Sequence, residues 1–112
     1  DAVDRDIKAQ QADERIVRVR EWHNTLQRPD GLADQEYATF LRYCTEFFLD
    51  GTSLFRKEPQ GRHQLVLPPE RRIGALKACH DDVGHRGAYP TKMFLLERFW
   101  WPYMDRDVAW FV

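Results

Sequence analysis

The sequence predicts a mainly α-helical fold with a small β-hairpin. Three observations carry that prediction. Two stretches in the first half repeat apolar residues at steps of three and four, the mark of one helix face. A pair of short β-type segments follows, separated by a loop containing Pro59 and Gly61. In the last third, prolines open and break further apolar-periodic segments.

The first helix is read from Val3 to Leu26. Val3, Ile7, Ala12, Ile16, Val19, Trp22 and Leu26 form the apolar stripe, and Arg5, Lys8, Glu14, Arg18 and Glu21 take the other side. Arg28-Pro29-Asp30-Gly31 stops it, because Pro29 disfavours helix in the residue before it and Gly31 tolerates positive φ. The stripe makes this arm a candidate surface for self-association. A second helix is expected over residues 34–49, with Asp34 as N-cap and Tyr37, Phe40, Leu41, Cys44, Phe47 and Phe48 at helical spacing. Asp50-Gly51 ends it.

Leu54–Lys57 and His63–Leu67 read as the two strands of the hairpin, which must pack on the helices to be stable. Pro69 suits the first position of a third helix, in which Ile73, Leu76 and Cys79 face inward. Gly84 and Gly87 bracket a turn. Pro90 opens a helix with Met93, Phe94, Leu96, Phe99 and Trp100 as apolar positions, Pro102 breaks it, and Met104, Val108, Phe111 and Val112 begin a last one.

Composition narrows the function classes. A chain of 112 residues with 43% hydrophobic and 31% charged residues is globular, one small domain or a domain with a helical arm. No apolar run approaches the roughly 20 residues that span a bilayer, and the N-terminus lacks the basic and apolar regions of a signal peptide. The expected location is intracellular, nuclear or cytoplasmic. Cys44 and Cys79 make no CxxC pair and read as small buried hydrophobes. Charge is asymmetric: residues 1–55 carry seven Lys and Arg against eleven Asp and Glu, or −4, whereas residues 56–112 carry ten against seven, or +3. A +3 segment supplies only a modest phosphate-neutralising term, so tight DNA binding is not what the charge predicts. There is no Gly-rich phosphate loop and no Ser or Cys set beside a base, so no enzymatic activity is expected of these residues.

The informative stretch is His80-Asp81-Asp82-Val83-Gly84-His85-Arg86-Gly87. Neutral imidazole is a good Zn²⁺ ligand, and a turn between two histidines lets both rings converge on one ion. By itself the pair fits ordinary polar residues as well as ligands. Asp81 and Asp82 read as helix-end and turn residues. Cys79 and His80 are adjacent, so on a helix they point about 100° apart and do not share an ion. The block Phe99-Trp100-Trp101-Tyr103 is read as core in preference to base stacking, with Trp110 partly exposed. Arg71, Arg72, Arg86, Lys92 and Arg98 are the phosphate-contact candidates, with solvated surface as their alternative.

Taken together, CHDDVGHRG, then Thr91, Leu95-Leu96 and RFWWPYMDRDVAWFV resemble the histidine-histidine-cysteine-cysteine zinc domain of Ty3/gypsy-type retrotransposon integrases and of cellular genes derived from them. His80 and His85 match the family's histidines, Gly84 and Gly87 its turn glycines, and Trp101-Pro102, Met104 and Asp107-Val108 its second block. Gly51, Leu54-Phe55-Arg56, Leu65–Pro68 and Arg71 look like the segment that precedes its zinc helices, so the likeness covers about residues 37–112. Tyr103 stands where the family usually has Gly, and Ala88-Tyr89-Pro90 where it is usually more polar, which points to a diverged copy.

The resemblance implies a helical arm (1–33), an extension of helix plus hairpin (34–68), and a three-helix zinc-finger bundle (69–112) that stops short of its Cys-x-x-Cys. It implies His80 and His85 as metal ligands, and zinc in the full-length parent but absent or weakly held in this chain. The implied role is non-catalytic: supporting integrase multimerisation and binding retroelement DNA ends, with a second copy and that DNA as partners, and no membrane or small-molecule substrate. A host-domesticated interaction or oligomerisation module without integration activity is the alternative.

Overall fold

A computed structural model describes residues 5–82, 84 and 87–112. The chain is mainly helical with a small sheet. Helix α1 (Ile7–Thr25) starts where the Asp6 carboxylate accepts the Ala9 N–H at 2.9 Å. It closes on Leu26, whose left-handed backbone (φ 59°) lets its N–H reach the Trp22 carbonyl. Helix α2 (Asp34–Cys44) begins one residue earlier than Asp34 capping would give: Ala33 is the N-cap, and Glu36 accepts its N–H at 3.0 Å.

The helix expected over 34–49 is too long. It ends at Cys44, and β1 (Phe47–Asp50) pairs antiparallel with β2 (Ser53–Arg56) around Gly51-Thr52, with Gly51 at φ 62°. Phe47 points inward under either a helical or a two-residue period, so spacing alone could not separate the two. What decides is the partner strand. The expected hairpin between the 54–57 and 63–67 segments is present as β2 with β3 (Gln64–Val66), Phe55 opposite Leu65.

After a 3₁₀ turn (Pro69–Arg71) come α3 (Arg72–Asp82), α4 (Ala88–Leu96), β4 (Phe99–Trp100) and α5 (Met104–Phe111). A second correction falls here. Phe99 and Trp100 do not end a helix; they form a strand that runs parallel to β3, with Leu65 opposite Phe99 and Val66 opposite Trp100. The sheet order is therefore β1-β2-β3-β4, and α3 and α4 make the crossover that a parallel pair requires.

Alternation along β3 and β4 divides the interior. Val66 and Trp100 face a first core built from Ile16 and Val19 of α1, Phe40 and Cys44 of α2, Phe47 and Leu54. Their neighbours Leu67 and Trp101 face a second core with Leu76, Cys79, Leu95, Met104 and Val108 of α3, α4 and α5. The α1 arm is thus docked on its own chain, with Val19 fully buried. No helix among the described residues is long and apolar enough to cross a membrane.

Candidate metal centre

Leu76 and Cys79 are buried and anchor α3 in the second core, which sets the rotation of the helix and leaves His80 half-buried at its C-terminal end. Gly84 (φ 72°) then turns the chain, its N–H reaching the Asp81 carbonyl at 3.0 Å. The His80 ring is held on two sides. Its Nδ1 lies 3.1 Å from Thr91 Oγ1, on the first turns of α4, and its plane stands edge-on to Phe111 with centroids 5.9 Å apart. Phe111 is the last residue of α5, so the chain leaving that helix emerges beside the imidazole. Asp81 and Asp82 are exposed. His85, the other candidate ligand, lies outside the described residues, as does Arg86. Among the described residues no three His, Cys, Asp or Glu side chains gather closely enough to hold a metal.

The two thiols do not compete for the role. Burial pushes the Cys79 thiol above its ordinary pKa and pushes Cys44 up to about 11, so both stay protonated near neutrality. A metal wants thiolate. The His80 ring is oriented by contacts from α4 and α5.

The phosphate-contact candidates are dispersed in character. Arg71 is exposed on the 3₁₀ turn, and Arg98 is exposed with its guanidinium 4.5 Å from the Phe94 ring centroid. Lys92 is half-buried and paired with Asp105 at 3.0 Å. Arg72 cannot serve. It is 1% exposed, donates from Nε to the Leu67 carbonyl at 3.1 Å, and binds Asp13 of α1 through both terminal nitrogens at 3.1 and 2.9 Å. A guanidinium so enclosed cannot reach a phosphate in solvent.

Asp13 also accepts from Arg5 at 3.0 Å, and Arg5 donates to the Pro102 carbonyl and lies 3.9 Å from Asp107. Asp107 in turn accepts the Trp101 indole N–H at 2.7 Å. This buried chain of charges fastens α1 to α3 and α5. It was not foreseen, since Asp13 and Arg72 are far apart in sequence and no local pattern links them.

Residues 67–112 match the family of the integrase zinc binding domain. The match begins at Leu67, where the second core begins, and takes in α3, α4, β4 and α5. It supports the reading of this segment as an integrase-type zinc-binding domain. No curated protein matches the chain.

Proposed function

We propose that the chain is the non-catalytic N-terminal region of a Ty3/gypsy-type retrotransposon integrase. In this reading residues 69–112 are its zinc bundle, 34–68 the extension before it and 1–33 a helical arm. The zinc ligands are His80 and His85, joined by a thiol pair expected after α5 from the family resemblance. The observation that carries the reading is the edge-on contact of His80 with Phe111, which sets the exit of α5 next to the first imidazole. Bound zinc would tie the end of α3, the turn after it and the chain beyond α5 into one unit, and so contribute folding free energy. The role is to support integrase multimerisation and the binding of retroelement DNA ends, through exposed cations such as Arg71 and Arg98 and not through Arg72.

A longer chain that runs on through the thiol pair should take up one zinc and melt higher with the metal than with a chelator present. At a hundredfold excess over Kd the gain is about 2.7 kcal/mol. An unchanged melting temperature, or no zinc uptake, overturns the metal reading. DNA binding should weaken steeply with added salt if phosphates are contacted.

The second reading is a domesticated interaction module. It draws on the exposure of Tyr89 (72%) and Trp110 (60%) on the bundle surface. DNA affinity that is absent at low salt, together with a concentration-dependent mass, favours that reading over the first.

A further inference from the structure

We propose that the cleft where β2 and β3 part is a phosphate subsite, in which Arg20 of α1 and Arg71 of the 3₁₀ turn together hold one phosphate of a nucleic-acid backbone. The proposal rests on the DNA-binding reading and deepens it by naming a site and a second cation, Arg20, that comes from the arm.

The cleft follows from the strand pairing. Among the described residues β2 meets β3 only through Phe55 with Leu65 and Arg56 with Gln64. Ser53 and Leu54 have their partners on β1, while Val66 goes on to pair with Trp100 of β4. The two strands therefore part at this end. They leave a cleft of about 310 Å³ with Thr52 and Ser53 on one side, Val66 and Pro68 on the other, and Arg20 and Arg71 in its walls.

Both cations are held in place without being neutralised. Arg20 is half-buried, and its Nη1 donates to the Thr52 carbonyl at 2.8 Å, which fixes the guanidinium beside the cleft. Arg71 is exposed on a turn that Arg72 fastens to α1 through Asp13, so the two cations ride on elements already clamped together. Neither makes an ion pair among the described residues, and no Asp or Glu lines the cleft. That sets it apart from other clefts of the molecule. The one between α1 and α2 holds Glu14 and Glu36 beside its arginines, and the one between α1 and α5 holds Asp6 and Asp107. A carboxylate repels a phosphate and occupies a guanidinium. Two uncommitted guanidinium groups, with the Thr52 and Ser53 hydroxyls, offer the donors that phosphate oxygens accept.

The test is binding of a short DNA duplex to the full chain across a range of salt, with amide NMR of the bound state. The Thr52, Ser53 and Arg71 amides should shift. Arg20→Gln and Arg71→Gln should each weaken binding by the same factor whatever the duplex sequence. Because both groups grip one phosphate, the double variant should lower the slope of log Kobs against log salt by about 0.9, the value for a single phosphate. A loss of about 1.8 would mean two separate phosphates, and an unchanged slope would mean none at this place; either overturns the proposal. Amide shifts that inorganic phosphate produces and the duplex does not would assign the cleft to a free ion and overturn it too. Should Arg20→Gln fail to fold, Arg71→Gln, at an exposed side chain, decides alone: a salt slope equal to the wild type overturns the shared site. No duplex binding by the wild type even at low salt overturns the DNA reading on which the proposal stands.

Discussion

The two cores share a wall of β3 and β4 but are completed differently. The first core, between α1, α2 and the β1–β2 hairpin, is held by side-chain contacts among all three. Trp22 Nε1 donates to the Tyr37 hydroxyl at 3.2 Å, His23 Nε2 lies 2.9 Å from the Cys44 carbonyl, and Phe47 meets Tyr43 and Trp100 ring to ring. The second core is as dry at its centre, with Trp101, Leu76 and Leu95 fully buried. Its far end is different: α5 starts on Tyr103 in a left-handed conformation (φ 60°) without a side-chain cap, and at the His80 end a polar His80–Thr91 contact sits beside the Phe111 ring. Packing alone finishes the first region. In the proposed reading, zinc bound through His80 would add a further link to the second.

What joins the regions is the charged chain from Arg5 through Asp13 to Arg72, with Asp107 and Trp101 beyond. Buried ion pairs contribute little net stability when intact, yet removing one partner is costly because the remaining charge is stranded. The contrast between the cores can be broken or sharpened at three levels.

The largest effect is expected at the wall. Trp101→Ala removes a fully buried ring together with the donor to Asp107 and should cost about 4 kcal/mol in urea unfolding. Phe47→Ala should cost about 3 kcal/mol from the other side. If the shared strands make one cooperative unit, each variant shifts a single transition. A biphasic curve for Trp101→Ala, with the α1–α2 signal unmoved, would show that the cores fold separately.

Next comes the clasp. Asp13→Ala leaves the guanidinium groups of Arg5 and Arg72 buried against one another and should cost about 3 kcal/mol. Pairing Asp13→Leu with Arg72→Met should recover most of that loss, because apolar groups of similar size leave no charge stranded. Failure of the double variant to recover would mean that the ion pair itself, and not its desolvated remnant, holds α1 in place. The same docking bears on self-association: α1 buries Ile16 and Val19 against its own chain, so deleting residues 1–28 would expose the first core instead of simply removing an oligomer contact.

The smallest effect separates the two thiols. Both are buried, and burial raises both pKa values, so a thiol reagent at pH 8 should label neither in the folded chain. As denaturant rises below the main transition, Cys79 should react before Cys44 if the second core is the first to open without metal. Equal labelling would erase the distinction. The pH dependence has a definite sign. Each thiol is held protonated in the folded state, so its contribution is whole below the unfolded pKa of 9.0 and is lost as pH rises from there through the folded value, about 11 for Cys44.

Much of this was legible in the residues. The middle of the α1 stripe at Ile16, Val19 and Trp22, the α2 stripe, the β2–β3 hairpin, the inward set Leu76 and Cys79, and the burial of Cys44 all follow from short-range spacing, which needs no knowledge of partners, whereas Ile7 and Leu26 at the ends of the α1 stripe are exposed. The reading of His80 and His85 as metal ligands came from the family resemblance, since the pair by itself fits ordinary polar residues as well. Phe47–Asp50 was misread because an aromatic run satisfies both periods at its inward residue. Arg72 was misread because a basic residue next to Arg71 looks solvated until its partner is known.

Spacing along the chain therefore determined which regions hold helices and which imidazole sits at the end of α3, but not where α2 and α4 stop. Only the tertiary structure decided that Phe99–Trp100 extends the sheet, that Arg72 is locked to Asp13, and that α5 ends beside His80. Each of those depends on a group brought from a distant part of the chain: Val66 to Trp100, Asp13 to Arg72, His80 to Phe111. Local periodicity records the face a residue presents, whereas the identity of what meets that face is set by chain closure and shared desolvation.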